Sequence, residues 1–417
     1  GEVYRAVIGK PTGPPDSPPV LVQKFGGTSV STAERRQQVI GHVRRAQEEG
    51  YQVAIVVSAM GRRGEPYATD TLLDLLRDDG GPVDKRDYDM VFICGEIISA
   101  TLMAHLLKRE GIPAVGLTGA QAGVYTDGNH SEAEIVDIDP ARVRRHLQRG
   151  EVPVVAGCQG LFRRADDYTT LGRGGSDTSG VALGVALNAD KVEIFTDVEG
   201  VFQADPRVVP QARMLEQISY GAMHEMARYG AGVVHPRAVR AGEDGRVPIV
   251  VRSTFGSTER TRGSAAAGTV IADVEDESPL VGIATLGPLE AMVLDADVLG
   301  PEVRAEWERR RLIMSLVDEE SGALVLAVSS EKTQELAAVT EETGSRAEKA
   351  DAAQSWVSLI GEPAVMQERS PVELDLLERQ DVEVLYHETA GRRSTYVVAA
   401  ADEERAIGTL HQNVLQA

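Results

Sequence analysis

Over roughly the first 254 positions the apolar residues fall in short, almost unbroken runs, separated by stretches whose apolar positions recur with a helical period. VAIVVSAM (53–60), PAVGLTG (113–119), VPVVAG (152–157), VEIFTD (192–197) and VPIVVRS (247–253) are such runs, rich in β-branched residues. Runs of this length and continuity predict strands buried on both faces of a largely parallel sheet. The intervening stretches predict amphipathic helices over Ser31 to Glu49, over Tyr88 to Arg109 and following Asp177. Ser31 and Glu34 have the spacing of a capping box for the first of these. Strands alternating with helices on this scale predict an α/β domain with helices on both faces of the sheet.

The pattern changes after GSTERTRGSAAAGTVIADVEDESP (256–279), a polar, small-residue stretch that reads as linker, with the domain junction placed at 263–280. Beyond it EAMVLDA (290–296) predicts a strand, 301–310 a helix, LIMSLVDE and ALVLAVSS a hairpin, and a helix follows from Glu331. A second pass repeats the order: WVSLIG (356–361), a helix over 370–380, VEVLYHET, STYVVAAA and a helix from Asp402. Two successive βαββα(β) passes predict two ferredoxin-like modules, over 281–345 and 346–417. At the other end, KPTGPPDSPP (10–19) is proline-rich and predicts a flexible, extended lead-in over 1–19.

A length of 417 residues with 42% hydrophobic content suffices for two or three domains with their own cores. The formal charge of −21 sets the surface against nucleic acid and anionic membrane, while leaving room for a local basic pocket. Cys94 and Cys158 are the two cysteines, so no disulfide framework or cysteine-based metal cluster is expected, and both sit in apolar surroundings that predict small core residues. The pattern shows neither an unbroken apolar run of about 18 residues nor a signal peptide, and the expectation is a cytoplasmic protein.

Three glycine-rich turns lie where strands should end and helices begin: KFGGTS (24–29), LGRGGSDTSG (171–180), and TDVEGV (196–201) running on to ADPRV (204–208). In an open parallel sheet, ligands bind beyond the carboxyl ends of the strands, where backbone amides at helix N-termini accept anions. The first turn is not a Walker loop, because Lys24 precedes its glycines, and no Rossmann GxGxxG with its later acid is present. In the second turn Arg173 offers a planar fork for a carboxylate, and Asp177 offers a partner for an ammonium group. Glu96, in ICGEIIS, lies on a mostly apolar helix face, where an unpaired carboxylate is costly. Arginine and aspartate in one glycine loop suit an amino-acid zwitterion.

KFGGTSV, VSAMG, Thr69–Asp70, Gly95–Glu96, TLGRGGSDTS, FTDVEGV and ADPRVV occur here in the order found in aspartokinases of the amino acid kinase superfamily. The resemblance covers about 20–262, and VSAMGRRGEPYATDTLL most resembles the diaminopimelate-sensitive form of Bacillus-type bacteria. It implies a three-layer amino acid kinase domain with a mainly parallel sheet, followed by two ACT modules. It also implies ATP- and Mg2+-dependent phosphorylation of the β-carboxylate of L-aspartate. By the same resemblance Lys24 and Asp177 are the catalytic pair, and Ser58, Thr69, Glu96, Arg173, Ser176 and Asp177 hold aspartate. Lys24, Gly26, Gly27, Thr28, Ser29, Thr196, Asp197, Phe202 and Arg207 hold ATP. No protein-bound metal is expected, since Mg2+ comes with the nucleotide phosphates. The resemblance further implies a homodimer joined through the ACT pair and an amino-acid effector such as diaminopimelate, lysine or threonine.

Some positions depart from the family pattern. Phe202 replaces a tyrosine, Gly232 replaces the lysine of a GAKVLHP segment, and the ACT modules lack most of the glycines of an effector turn. His235 reads as a structural histidine. The rival readings are a different amino acid kinase, acting on acetylglutamate, glutamate or UMP, and a sensor that binds an amino acid without catalysis.

Overall fold

The computed structural model describes residues 18–78, 80–255, 268–295, 314–318, 320–321, 323–329, 348–349 and 353–416. The chain divides into two compact units, the first formed by 1–201, 215–220 and 233–275, the second by 202–214, 221–232 and 276–417.

The strands of the first unit are β1 (Val20–Phe25), β2 (Gln52–Val57), β3 (Ala114–Leu117), β4 (Val124–Thr126), β5 (Ile135–Ile138) and β6 (Val152–Ala156). They continue with β7 (Gln159–Phe162), β8 (Asp167–Thr170), β9 (Lys191–Thr196), β10 (Gln217–Ser219), β11 (Ile249–Ser253) and β12 (Thr269–Ala272). Eight of them form one sheet in the order β10-β12-β11-β9-β1-β2-β6-β3, parallel throughout except for the β11–β12 pair. Four of the five apolar runs predicted as buried strands, β2, β6, β9 and β11, lie inside it, while the fifth, β3, is an edge strand. β4, β5, β7 and β8 form a separate four-stranded sheet, which the apolar pattern does not announce because its strands are short and partly polar.

Helices α1 (Ala33–Glu48), α2 (Thr69–Arg77), α3 (Lys85–Arg109), α4 (Ala141–Gln148), α5 (Gly175–Leu187), α6 (Tyr220–Arg228) and α7 (Pro236–Gly245) follow in chain order. Side chains alternate across a strand, and β1 shows the consequence. Leu21 and Phe25 share a buried core with Val39, Ile40 and Val43 of α1 and Met103 and Leu107 of α3. Lys24, on the opposite face, packs its stem against α5, where a Cβ added at Gly180 would lie 3.1 Å from Lys24 Cβ. On the α1 side, Glu193 is buried between Lys191 at 3.0 Å, Arg252 at 3.3 Å and the Gln23 amide at 3.0 Å. Burial works to raise the Glu193 pKa, but the two cations and the Gln23 amide outweigh it and hold the carboxyl down to about 2.

In the second unit, β13 (Leu280–Asp295), β14 (Met314–Val317), β15 (Ala323–Ser329), β16 (Glu348–Lys349), β17 (Gln354–Gly361), β18 (Val384–Ala390) and β19 (Arg393–Ala399) form one antiparallel sheet. Its order is β14-β15-β13-β17-β19-β18, with β16 beside β13. β13 is long enough to serve both halves: Leu280–Leu289 pairs with β17, and Leu289–Asp295 pairs with β15. Helices α8 (Pro363–Arg379) and α9 (Glu403–Leu410) cover the β17–β19 half, burying Met366, Leu377, Ile407 and Leu410 against Val357, Leu359, Tyr396 and Val398. This arrangement fits ACT-like modules. The helices expected over 301–310 and from Glu331 lie outside the described residues.

Several expectations need correction. The cap of α1 is Thr32, which accepts from the Arg35 amide at 3.3 Å, because Ser31 is drawn back onto the Thr28 carbonyl. α3 starts at Lys85 rather than Tyr88, with Asp84 capping the amides of Arg86 and Asp87. The stretch expected as linker contains β12, whose residues 269–272 close the first unit's sheet against β11. Strand β13 begins ten residues before the apolar cluster that predicted it, and α8 begins at Pro363, where a proline in the first turn is tolerated. Cys158 is buried, but Cys94 is exposed. α3 has the length and apolar composition of a membrane-crossing helix, yet half of it is buried, and its inner face belongs to the core of the first unit.

Candidate active site

The site begins where β1 ends. Lys24 is the penultimate strand residue, and the chain then turns through Gly26 into a 3-10 turn over Gly27–Val30. A Cβ at Gly27 would lie 2.6 Å from the Ala59 carbonyl, so this position admits only glycine while the loop after β2 passes so near. The second glycine turn meets it from α5. Gly174 has φ +69, and the ring of His235 occupies the space a Cβ would need there. Ser176 and Asp177 therefore fall in the first turn of α5, where the amide dipoles favour negative charge.

The two turns converge on an ion pair. Lys24 Nζ lies 2.6 Å from Asp177 Oδ1, and both side chains are nine-tenths buried. Asp177 Oδ2 also accepts the backbone N–H of His235 at 3.1 Å, so the carboxylate is held from two sides. Asp177 is thus not the helix cap that its position allows. Ser58, just past β2, donates to Ser176 Oγ at 2.9 Å. The next amide, Ala59 N–H, reaches Glu96 Oε1 at 3.4 Å. Lys24, Asp177, Ser176, Ser58, Glu96 and Thr69 thus form one connected group.

Glu96 is 2% exposed, and its Oε2 is buried without a hydrogen-bond partner. Burial raises its pKa to about 8, against the smaller opposing pull of its own backbone amide, the Ala59 amide and the Thr69 hydroxyl. An unfilled carboxylate oxygen in such a place is a ready partner for a ligand cation.

Other predicted residues lie differently. Arg173 is exposed at the tip of the glycine turn. Ser29 is fully buried and shares a hydrogen bond of 2.6 Å with Thr254 Oγ1, so its hydroxyl faces the interior rather than an open pocket. Thr28 is half-buried, and its carbonyl accepts from Ser31 and Arg35. The hydroxyl of Thr196 donates to Asp197, and exposed Asp197 pairs with Arg62 at 3.2 Å. Phe202 and Arg207 belong to the second unit, where Phe202 bridges to Met214 and Arg207 pairs with Asp205 at 2.6 Å. Gly232 is in the second unit too, with φ +63, a backbone conformation that suits glycine far better than lysine.

Sequence reasoning missed several contributors. Gly180 makes room for the Lys24 stem, and Ser179 Oγ accepts the Cys158 amide at 2.9 Å. His235 acts through its amide on Asp177, and its Nδ1 caps α7 by accepting from Arg237 N–H at 3.3 Å. Arg237 donates to the Leu171 carbonyl and to the Ala133 carbonyl at 3.1 Å, tying down the strand end that leads into the glycine turn. A glycine three residues past the aspartate of the helix's first turn was the one available signal, and it reads equally well as helix composition.

Among the described residues no three His, Cys, Asp or Glu side chains gather as metal ligands. The nearest carboxylate, Asp177, is already engaged.

Residues 19–253 match the model of the amino acid kinase family. The chain belongs to that family, among the aspartokinases. It is 33% identical over 401 residues to aspartokinase 2 of Bacillus subtilis, covering 94% of this chain and 97% of that one. Identity rises to 47% with aspartokinase 1 of the same organism, over 242 residues that span 58% of this chain and 60% of that relative's length. The crystal structure of aspartate kinase from Synechocystis matches with 30% identity and a TM-score of 0.53, over 94% of this chain and 69% of that one. E. coli aspartokinase III in complex with aspartate and ADP matches with a TM-score of 0.77 over 95% of this chain and 100% of that one; at 20% identity this likeness speaks for the fold alone.

Proposed function

We propose that this chain is an aspartokinase, transferring the γ-phosphoryl group of ATP to the β-carboxylate of L-aspartate to give 4-phospho-L-aspartate in the cytoplasm. One observation carries the reading beyond family membership: the buried Lys24–Asp177 pair stands where two glycine turns meet, with an unpartnered Glu96 oxygen in the same connected group. The attacking carboxylate is already ionised at neutral pH, so the reaction requires no general base. It requires alignment and neutralisation of charge on the moving group. Lys24, held by Asp177 at the strand mouth, supplies a fixed cation, and the amides of Gly26 and Gly27 supply neutral donors beside it. Mg2+ supplies further charge neutralisation on the nucleotide when bound.

The substrate is read as follows. Its ammonium group meets Glu96, its α-carboxylate meets Ser58, Ser176 and the Arg173 fork, and Thr69 steadies Glu96. Thr28, Ser29, Thr196, Asp197, Phe202 and Arg207 belong to the nucleotide side, Thr28 and Ser29 acting through backbone rather than hydroxyl contacts. Catalysis is placed in 20–262 and the two ACT modules in 281–345 and 346–417, joined as a homodimer and open to an amino-acid effector. Lysine is the effector class to try first, because E. coli aspartokinase III, 21% identical, is described with lysine and aspartate in a T-state.

Hydroxylamine trapping of the acyl phosphate tests the reading, with Mg·ATP and L-aspartate, L-glutamate or N-acetylglutamate in parallel. A hydroxamate with aspartate alone is expected. A signal only with another acceptor, or none with ligand binding intact, would overturn it.

A further inference from the structure

We propose that Asp89 is a positioning residue for the substrate: it fixes the turn that carries Arg173, and so the place where the carboxylate of the amino acid is held. The inference rests on Arg173 as the carboxylate fork and Glu96 as the ammonium partner. Asp89 lies on α3 and is fully buried, where a carboxylate is costly unless donors meet it. Three donors distant in sequence do so. Oδ1 accepts the Thr170 hydroxyl at 2.5 Å and the Ser131 N–H at 3.0 Å. Oδ2 accepts the same N–H at 3.0 Å and His130 Nδ1 at 2.9 Å, the imidazole donating because a carboxylate only accepts.

The residues that Asp89 holds border the glycine turn. Thr170 ends β8, and Leu171, Gly172 and Arg173 follow directly. Ser131 has φ +69, a left-handed conformation that a serine keeps only where its surroundings hold it. Its carbonyl lies against the base of the turn, since a Cβ on Gly172 would be 3.1 Å from it. The Ala133 N–H donates to the Thr170 carbonyl at 2.9 Å, and Arg237 of α7 donates to the Ala133 and Leu171 carbonyls, joining the same segments again. α3 thereby bears on both ends of the amino acid. Asp89 and Glu96 are its two buried carboxyls, seven residues apart, so they share a face two turns, or roughly 10 Å, along the axis. One helix sets the ammonium partner directly and the carboxylate fork through Thr170 and Ser131. A helix packed into the core spaces two subsites more firmly than an exposed turn can. Packing alone does not ask for a charge, because an apolar side chain fills a buried position without the desolvation penalty.

Asp89→Asn tests this role. Asparagine matches the size, but it accepts at one atom and donates at the other, so the donors on one side lose their partner. Isothermal titration calorimetry reads the outcome without depending on turnover, which keeps it separate from the question of kinase activity. Affinity for L-aspartate is expected to fall about tenfold, while that for Mg·ATP stays within twofold of wild type. Thr170→Val takes away a single donor at nearly constant shape and gives the same reading should Asp89→Asn fold poorly; its expected loss is about threefold. Arg173→Gln shows whether the effect runs through the fork. In that background Asp89→Asn is expected to change aspartate affinity less than twofold, because residues acting through one another are not additive. Wild-type aspartate affinity in both Asp89→Asn and Thr170→Val would overturn the proposal, and so would equal losses for aspartate and Mg·ATP. A tenfold effect of Asp89→Asn that persists without Arg173 would overturn it as well. Unchanged aspartate affinity in Arg173→Gln alone would remove the fork itself, and this inference with it.

Discussion

Replacing Glu96 with glutamine isolates the most perturbed carboxyl of the site. In the folded chain Glu96 titrates near 8, against 4.5 for an unburied glutamate, because burial disfavours its charged form. The sign follows from linkage. An acid whose folded pKa is raised releases its proton more readily when unfolded, so folding loses stability as pH climbs from 4.5 towards 8. At about 1.4 kcal/mol per unit, the full displacement corresponds to a loss on the order of 5 kcal/mol, most of it incurred by pH 8. Between about pH 6 and pH 8 the wild-type chain should lose roughly 2 kcal/mol more than Glu96→Gln, which cannot ionise. Urea unfolding of both proteins at the two pH values, followed by far-ultraviolet circular dichroism, gives this double difference and cancels every other titrating group. Glu96→Gln should gain on wild type as pH rises. Parallel pH dependences would refute the burial argument.

A second arm reads the ligand. If the substrate ammonium fills the orphan Oε2 atom, binding draws a proton off Glu96 below pH 8. Affinity for L-aspartate then falls by up to about tenfold per pH unit as pH drops below that point. Glu96→Gln flattens this dependence and binds weakly throughout. A pH-independent aspartate KM in the wild-type enzyme would separate Glu96 from the ammonium.

Four further perturbations test the rest of the site and its support. Lys24→Ala should abolish hydroxamate formation while the chain still folds, with a stability cost of about 3 kcal/mol from leaving Asp177 buried without its cation; near-normal turnover would remove Lys24 from the mechanism. Gly180→Ala adds a methyl 3.1 Å from Lys24 Cβ; kcat should fall about tenfold while the melting temperature holds or rises, since alanine favours the helix by about 1 kcal/mol. Arg237→Met strips the donors from the Ala133 and Leu171 carbonyls and should raise the aspartate KM several-fold, leaving the ATP KM near wild type. Glu193→Ala leaves Lys191 and Arg252 buried without their shared anion and should cost about 3–5 kcal/mol in urea unfolding. In the wild-type chain the Glu193 contribution, from a carboxyl held down to about 2, is present above pH 4.5 and lost as pH falls through 2.

The central sheet was legible because strands buried on both faces must be apolar at nearly every position, in short runs rich in β-branched residues. The β4-β5-β7-β8 sheet was not, since a strand such as Ile135–Ile138 exposes two of its four residues and shows no run. The α1 cap was misplaced by one residue because two adjacent hydroxyls, Ser31 and Thr32, both satisfy the capping pattern. Only the 3-10 turn before them decides which is free. Strand β13 was half seen: its C-terminal part is alternating and aliphatic, while ATLGPLE at its centre, with a glycine and a proline, looks like a turn. Cys94 shows the limit of local reading most plainly. Phe92 and Ile93 just before it are buried, while the cysteine itself is exposed on the helix.

The site was legible for a different reason. Glycine is placed by backbone geometry, so a turn that cannot carry a Cβ announces itself in the sequence even when its neighbours in space are unknown. Gly27 against the Ala59 carbonyl and Gly174 against His235 are of this kind. What a glycine does not reveal is which charged residue it brings within reach. The pairing of Lys24 with Asp177 joins residues 153 positions apart, through a parallel strand and a helix that cross only in the folded sheet. The same pairing settles what each residue does before a ligand arrives. Asp177 offsets the cost of burying Lys24 and fixes its ammonium group beside the glycine amides. An incoming phosphate then meets a cation already desolvated and aimed, and binding need not supply that alignment. Without Asp177 the lysine would be left buried without a counter-charge or swing to solvent. Asp177→Asn should therefore reduce turnover about as severely as loss of Lys24 itself, although asparagine preserves the size of the side chain and keeps one of its two acceptor oxygens.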